Sequence, residues 1–246
     1  MSEPTTGQRL AAYGVHVLTA SGIAFAFLAA AETTRPGCDP RLVFVWLIAA
    51  VIVDAVDGPL ARRAHVKTRA ADIDGRTIDD IVDYITFTFL PLLLVWRMGW
   101  VPEPKWLFVV PPMMASLLGF ANVGAKEEDA GFFRGFPSYW NIAAFYCGLL
   151  AAGGFLWASG LLLLALAGLT VTPVRFVYPN LAPRPWKTPL RVGAYLWMVI
   201  VLWMLWEFPE NPAWLVGVSL VYPAVYAAAS VWLDVRDRRQ RGEPRP

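Results

Sequence analysis

Two short stretches of this sequence carry aspartates at helical spacing. Asp54 and Asp57 lie in "DAVDGPLARRA", and Asp79 and Asp83 lie in "DIDGRTIDDIVDYITF". Residues three or four apart on an α-helix share a face, whereas Asp80 points about 100° away from Asp79. Carboxylate oxygens are preferred ligands of hard divalent ions such as Mg²⁺ and Mn²⁺, which in turn bind phosphate oxygens. The pattern therefore predicts a divalent-metal site suited to chemistry on a phosphate group.

Carboxylates gathered between two helices need compensation. At 4 Å and an effective dielectric constant near 20, two like charges repel by about 4 kcal/mol. A charge inside a membrane costs about 2.5 kcal/mol or more in addition. If the helix that carries Asp79 and Asp83 extends back far enough, Asp72 joins its acidic face. Gly58 would let a ligand approach the backbone, and Arg62 could bind a phosphate through two parallel hydrogen bonds.

The elements that carry these residues are predicted to cross a membrane. The chain has 246 residues, is 57% hydrophobic and contains 12 Trp, more apolar surface than one soluble core can bury. Each crossing needs roughly 20 mostly apolar residues whose backbone groups are satisfied within the helix. The eight predicted spans are residues 10–31, 41–61, 74–96, 105–123, 138–157, 160–178, 190–208 and 213–233. The fold class predicted is all-α, a polytopic membrane helical bundle.

Orientation follows from the distribution of cations. With eight spans, only four of the 21 Lys and Arg residues fall on one side: Arg35, Arg41, Arg97 and Lys105. Loops rich in Lys and Arg stay in the cytoplasm, so both termini and the acidic helix ends are predicted to be cytoplasmic. The basic tail, residues 236–246, is expected to be disordered and attracted to anionic lipid.

The acidic helix ends also carry a family resemblance. The matching positions are Asp54, Asp57, Gly58, Ala61, Arg62, Gly75, Asp79 and Asp83. Their types and spacing resemble the signature of the CDP-alcohol phosphatidyltransferases. Twelve residues separate Arg62 from Gly75, more than in most members of that family. This longer gap, with "YGVHVLTASG" and "FFRGFPSYWN", is similar to the bacterial branch that forms phosphatidylcholine.

The resemblance implies transfer of a phosphatidyl group from CDP-diacylglycerol to an alcohol, with release of CMP. It implies a divalent cofactor, Mn²⁺ or Mg²⁺, as two ions. Asp54, Asp57 and Asp79 are the expected metal ligands. Asp83 would share the metal ions and act as the base that takes the proton of the attacking hydroxyl. Asp79 and Asp83 are thus the expected catalytic residues.

Substrate contacts are implied by the same resemblance. The residues expected to make room for or hold the donor are Gly58, Ala61, Gly75 and Arg62. His16 and Thr19, three residues apart in the first span, are candidates to face the nucleotide. Polar packing between helices explains these two residues equally well.

Choline as the acceptor would require recognition of a quaternary ammonium group, which donates no hydrogen bond. Such groups bind to aromatic faces, with carboxylates nearby. The segment between the fourth and fifth spans offers Glu127, Glu128, Asp129, Phe132, Phe133, Phe136, Tyr139 and Trp140. Tyr139 and Trp140 are the predicted choline contacts, although aromatic residues near a membrane surface serve mostly as interfacial anchors.

The sequence thus predicts one membrane domain over residues 1–246, with a catalytic core at about 1–180 and two additional helices at about 186–235. The preferred function, which the family resemblance implies, is metal-dependent transfer from CDP-diacylglycerol to choline in the bacterial inner membrane, with a cytoplasmic active site. The same resemblance implies a homodimer. Serine, inositol phosphate or glycerol phosphate as acceptor remains an alternative. An ion-coupled transporter is another, because clustered intramembrane aspartates also occur in such proteins.

Overall fold

The computed structural model describes residues 4–122, 124, 126, 127 and 131–241, and it is mostly helical. Its helices are α1 (Thr6–Thr34), α2 (Pro40–Ala64), α3 (Val66–Arg69), α4 (Gly75–Asp83), a π-helical segment (Tyr84–Phe89), α5 (Leu90–Met98), α6 (Trp106–Ala121), α7 (Trp140–Ala152), α8 (Leu156–Val171), α9 (Lys187–Trp206) and α10 (Ala213–Arg241). Three short strands are β1 (Lys126–Glu127), β2 (Phe132–Arg134) and β3 (Arg175–Val177). The chain divides into two compact units, Met1–Met98 and Gly99–Pro246.

In the first unit, α1 packs along α2 and against α4. Thr5 and Gln8 form a reciprocal capping box that starts α1. Asp39 caps α2, whose first residue is Pro40. The helix α2 ends at His65, which has a left-handed backbone with φ of 53°. These caps fix where the two long helices begin and end, and hence the level of the aspartates on α2.

The third predicted span is a helix in three parts. Asp74 caps it by accepting a hydrogen bond from the Arg76 backbone N–H, so α4 begins at Gly75. The backbone passes from α4 through the π-helical segment into α5 without leaving helical dihedral angles. Asp72 was expected to join the acidic face only if this helix extended back to it, and the helix does not extend that far. Asp72 lies in the loop before the cap.

In the second unit, α6 and α7 pack against α8, and α10 packs against α9 and β3. The strands form an antiparallel sheet in the order β1–β2–β3, with Phe133 opposite Lys126 on one side and Phe176 on the other. The all-α prediction thus holds for the bulk of the fold but missed this sheet. Strands of two or three residues are too short to show a two-residue periodicity.

Two predicted boundaries are wrong. The fifth span, predicted at 138–157, corresponds to α7, which stops at Ala152 because Gly153 and Gly154 follow and Gly154 has φ of +81°. The sixth, predicted at 160–178, corresponds to α8, which ends at Val171, just before Pro173. The residues beyond Pro173 that had been assigned to this span form β3 instead.

Within the described residues, four helices are long and apolar enough to cross a membrane: α1, α2, α9 and most of α10. Shorter apolar helices of 10–17 residues are α6, α7 and α8. Large apolar side chains on the long helices are exposed, including Phe27 at 71% and Trp206 at 82%. These features are typical of a helical membrane protein. Eight crossings, and cytoplasmic termini, stay predictions.

The basic tail differs from expectation. Instead of a disordered segment after residue 235, α10 continues to Arg241. Asp234 is buried and Asp237 is ion-paired, which ties this last part of the helix to the second unit. Residues 242–246 lie outside the described part of the chain.

Candidate metal centre

Three of the four predicted metal ligands meet in the structure. Asp54, Asp57 and Asp79 each offer a carboxylate oxygen, and these three oxygens lie within 4.8 Å of one another. Ligands of one divalent ion at 2.0–2.6 Å from it are separated by roughly 3–5 Å. The group therefore has the spacing and the hard oxygen donors that Mg²⁺ or Mn²⁺ requires.

Two helices supply this group. Asp54 and Asp57 lie one turn apart in the last third of α2, and Asp79 lies at the middle of α4. Asp57 is the most enclosed, with 6% of its surface exposed, while Asp54 and Asp79 are half-buried. The group is thus neither fully enclosed nor fully exposed, because Asp54 and Asp79 keep part of their surface accessible.

The remaining acidic residues of this region are placed differently. Asp83 is the last residue of α4, one turn beyond Asp79, and is half-buried but outside the group of three. Its assignments as a metal ligand and as the base stay predictions. Asp80 forms an ion pair with Arg76 at 3.4 Å, on a different side of α4, as its predicted direction requires. Asp72 accepts hydrogen bonds from the Tyr13 hydroxyl at 2.7 and 2.8 Å.

Close packing of α1 against α4 holds Asp79 in position. A Cβ atom on Gly75 would lie 2.7 and 2.9 Å from two ring atoms of His16, and one on Gly22 would lie 2.8 Å from Val82 Cγ1. His16 is buried, and its Nε2 lies 3.4 Å from the Ala70 carbonyl oxygen. Gly75 therefore lets α4 approach α1 closely.

Thr19, the second polar residue predicted to face the nucleotide, is also buried. Its hydroxyl donates to the Val15 carbonyl at 3.2 Å, within α1. Both His16 and Thr19 thus have packing partners. A nucleotide contact for either residue stays a prediction.

The donor-binding candidates on α2 differ in their surroundings, and open space lies beside Gly58. A Cβ atom on Gly58 would meet one neighbour, Arg62 Nη1, at 3.7 Å. Arg62 is exposed, and Ala61 is half-buried beside the small cluster formed by α1 and α3. The structure thus leaves the backbone at Gly58 accessible, with a guanidinium group next to it. Donor binding by these residues stays a prediction.

The loop before α4 is anchored by its own carboxylates. The hydrogen bond from the Tyr13 hydroxyl holds the pKa of Asp72 below its ordinary value, although the group is exposed. The Thr77 hydroxyl donates to Asp74 at 2.7 Å and lowers the pKa of that carboxyl. Tyr13 and Asp72 are 59 residues apart, so no local sequence pattern could have revealed their contact.

The predicted choline contacts lie in the second unit. Tyr139, just before α7, is 51% exposed. Trp140 has no exposed surface, and its indole N–H donates to Ser116 Oγ at 2.6 Å. Packing alone explains Trp140, and only Tyr139 of the pair presents a surface to a ligand. Choline binding by either residue stays a prediction.

Other members of the predicted choline segment have structural partners. Phe132 is buried, with the Arg175 guanidinium 4.8 Å from its ring centre. Phe136 packs edge-on against Trp140 and Phe176. Phe133 packs edge-on against Tyr178. Glu128 and Asp129 lie outside the described residues.

A second group of charged residues, not predicted from the sequence, lies in this unit around Arg175. Arg175 is 2% exposed and hydrogen-bonds to three carboxylates, Glu127, Asp234 and Asp237. A further guanidinium binds each of these carboxylates: Arg134 on Glu127, Arg238 on Asp234 and Arg241 on Asp237. The Arg175 cluster joins β1 and β3 to the end of α10.

A bundle of apolar helices with a carboxylate cluster spaced for a divalent ion defines a membrane-type helical protein with a candidate metal centre. The phosphatidylcholine synthase of Bradyrhizobium diazoefficiens is 37% identical over 96% of this chain and 84% of that protein. The phosphatidylcholine synthase of Pseudomonas aeruginosa is 32% identical over 92% of this chain and 93% of that protein. The phosphatidylcholine synthase of Rhizobium meliloti is 34% identical over 87% of this chain and 87% of that protein. No protein-family model matches the chain. The chain belongs to the phosphatidylcholine synthase family, which confirms the resemblance found in its sequence.

Proposed function

We propose that this chain is a phosphatidylcholine synthase that transfers the phosphatidyl group of CDP-diacylglycerol to choline. The observation that carries the chemistry is the meeting of Asp54, Asp57 and Asp79 within 4.8 Å. The choice of product rests on the relatives, which are named phosphatidylcholine synthases and align over most of the chain. The donor CDP-diacylglycerol rests on the resemblance to the CDP-alcohol phosphatidyltransferases.

In this proposal Asp54, Asp57 and Asp79 hold divalent metal, Mn²⁺ or Mg²⁺, as two ions. A bound divalent ion supplies positive charge that binds phosphate oxygens and offsets the negative charge developing on the phosphoryl group. The residues of the chain fix the positions of the oxygen donors. Asp79 is set by the contact of Gly75 with His16, and Asp54 and Asp57 are set by their place on α2.

The reaction needs a base and a leaving group. The choline oxygen forms a bond to the phosphorus that carries diacylglycerol, and the bond from that phosphorus to the CMP oxygen breaks. We assign Asp83 as the base, because it lies one turn from Asp79 on α4 and is half-buried. It accepts the hydroxyl proton of choline, and CMP leaves with the electron pair of the broken bond.

Donor and acceptor contacts complete the proposal. Arg62 binds a phosphate of the donor, and the space beside Gly58, Ala61 and Gly75 accommodates cytidine and phosphates. Tyr139 offers an exposed aromatic face for the choline ammonium group.

We further propose that the protein is a homodimer with eight membrane crossings in the bacterial inner membrane. Its termini and active site face the cytoplasm. The basic loops favour this orientation, and a water-soluble nucleotide attached to a diacylglycerol must react where lipid and cytosol meet.

The test is a reconstituted assay with the purified protein, CDP-diacylglycerol and Mn²⁺ or Mg²⁺. Choline, serine, glycerol phosphate and inositol phosphate are offered together at equal concentration, and the lipid product and CMP are identified by mass spectrometry. We expect phosphatidylcholine and CMP in equal amounts, and none of either with EDTA. Formation of another lipid would refute choline as acceptor, and product in EDTA would refute the metal requirement.

A further inference from the structure

A cavity separate from the group of aspartates lies between the start of α1 and the end of α2. It is a wide depression of about 520 Å³ that is largely open to its surroundings, and its polar lining includes Arg63 and Arg69. We refer to it as the basic cavity. Leu60, Arg63 and Ala64 of α2 line it, whereas Asp54 and Asp57 do not. On a helical projection Ala64 lies close to Asp57, but Arg63 lies about 120–180° around the helix from Asp54 and Asp57. Arg63 and the two aspartates therefore project from different sides of the same helix.

The charge of the basic cavity is of one sign. Arg63 and Arg69 line it, and none of the other lining residues in the described part of the chain is acidic. Arg69 donates to the Ala64 carbonyl at 3.3 Å, which fixes its guanidinium group beside the end of α2. Within the described residues, neither arginine forms an ion pair with a carboxylate. Two guanidinium groups in one cavity favour an anion that accepts several hydrogen bonds, and phosphate is the common group of that kind.

Thr5 and Gln8, which cap α1, add polar groups to the wall. The remaining side chains, Ala11, Val15, Leu60 and Ala64, are apolar, which restricts the kind of phosphate compound. Val15 is buried and Leu60 half-buried at the cavity, beside the cluster that also contains Ala12 and Val66. A small hydrophilic phosphate would gain nothing from this surface. A molecule with a phosphate at one end and hydrocarbon at the other would bury apolar area there as well.

The position of the cavity also points to a lipid. Both α1 and α2 are long and apolar enough to cross a membrane, and the cavity lies where α1 begins and α2 ends. The ends of membrane-spanning helices lie at the level of lipid headgroups. Basic residues at that level are attracted to anionic lipids.

We propose that the basic cavity binds the phosphate of an anionic membrane phospholipid, at a site distinct from the group of three aspartates. Arg63 and Arg69 hold the phosphate, and Val15 and Leu60 contact the hydrocarbon next to it. The lipid is bound without being converted. This site does not depend on the acceptor or donor of the proposed reaction.

Native mass spectrometry of the purified, delipidated protein tests this directly, since it counts bound lipid without turnover. Phosphatidylglycerol, zwitterionic phosphatidylethanolamine and inorganic phosphate are titrated separately. We expect one saturable phosphatidylglycerol adduct, weakened about tenfold by Arg63→Gln and further by the addition of Arg69→Gln, because each change removes charge-assisted hydrogen bonds. Asp79→Asn should bind phosphatidylglycerol like the unchanged protein.

The matched control is Lys67→Gln, which removes an exposed cation four residues from Arg63 that does not line the cavity. It should bind phosphatidylglycerol normally. Equal loss in Lys67→Gln and Arg63→Gln would mean diffuse surface attraction and would overturn the proposal. So would unchanged binding in Arg63→Gln, equal binding of phosphatidylethanolamine, or displacement of the lipid by millimolar inorganic phosphate. Folding of each variant is checked by its melting temperature.

Discussion

Carboxylates gather in two regions of this molecule with opposite arrangements. Around Arg175, three carboxylates surround a buried guanidinium group that the chain itself provides. On α2 and α4, three carboxylates converge on one another around a space of ionic size. The first arrangement joins β1, β3 and α10 and is suited to holding the fold. The second is suited to an added cation, so aspartates of one chain serve stability in one region and ligand binding in the other.

The largest expected effect is on catalysis at the metal centre. Asp79→Asn should lower the rate of phosphatidylcholine formation at least ~100-fold, because even residues that only support metal ligands typically contribute 10–100-fold. The melting temperature should change little, since one of several mutually repelling charges is removed. The rate is measured by release of CMP.

The matched control for that variant is Asp80→Asn. Asp80 neighbours Asp79 but pairs with Arg76 on another side of α4, so its rate should stay within a few-fold of the original. Comparable losses in the two variants would show that general charge, and not the position of Asp79, matters.

In the Arg175 cluster, a substitution is expected to lower the stability of the protein and not its catalytic rate. Asp234→Asn should destabilise the protein by about 3 kcal/mol, because Asp234 is 1% exposed and its loss leaves a buried guanidinium group undercompensated. Asp237→Asn should cost less, since the Asp237 side chain is 23% exposed. Thermal unfolding in detergent gives the comparison. Equal melting temperatures for the original protein and Asp234→Asn would refute a stabilising role.

A substitution at the contact between α1 and α4 should have a smaller effect on catalysis at the metal centre. Gly75→Ala places a methyl group against His16 and should cost about 1–3 kcal/mol while shifting Asp79. We expect roughly a tenfold lower rate, because small misplacements of reacting groups slow catalysis. Gly14→Ala adds the same methyl group to α1 where nothing lies within 4 Å, and should leave the rate unchanged. A similar loss in both variants would contradict the role of the contact between α1 and α4.

The smallest expected effect is the pH dependence of the Arg175 cluster. Burial alone would raise the pKa of Glu127, but hydrogen bonds from Arg134 and Arg175 outweigh it and hold the pKa below its ordinary value of 4.5. Because the folded pKa is the lower one, the ion pairs stabilise the fold above pH 4.5. This contribution is lost as pH falls through the folded pKa.

The melting temperature should therefore fall below pH 4.5 more steeply in the original protein than in Glu127→Gln. Melting curves between pH 7 and pH 3.5 measure the difference. Parallel curves would show that Glu127 contributes nothing to acid sensitivity.

Spacing along the chain predicted the part of the site that depends on local helix geometry. Asp54 and Asp57 share a face of α2, and Asp79 lies on α4, because both segments have the helical period that the motif requires. The same reasoning left open whether Asp72 joins the acidic face of α4, since it did not recognise Asp74 as the residue that caps this helix. Helix ends depend on single capping residues, which periodicity does not register.

Contacts between distant residues were beyond prediction. Arg175 fell near the end of the predicted sixth span and was counted only among the cations of the cytoplasmic side, but its partner Asp234 is 59 residues away. The segment between Arg62 and Gly75 contains α3, and Val66 of α3 and Ala70 directly after it pack on Ala12 and Val15 of α1. Neither contact has a signature in one sequence. In contrast, Gly153 and Pro173 are residues that typically end helices, and they indicate from the sequence that the fifth and sixth predicted spans were too long.

A measurement of metal binding distinguishes the aspartates on α2 and α4 from the carboxylates of the Arg175 cluster most directly. Electron paramagnetic resonance of Mn²⁺ titrated into the purified protein reports bound ion without any substrate. The account predicts saturable binding that Asp57→Asn and Asp79→Asn each weaken by at least about tenfold, whereas Asp234→Asn, which alters only the Arg175 cluster, leaves it unchanged. Undiminished Mn²⁺ binding in both Asp57→Asn and Asp79→Asn would contradict it, because the three aspartates on α2 and α4 would then not be the metal site.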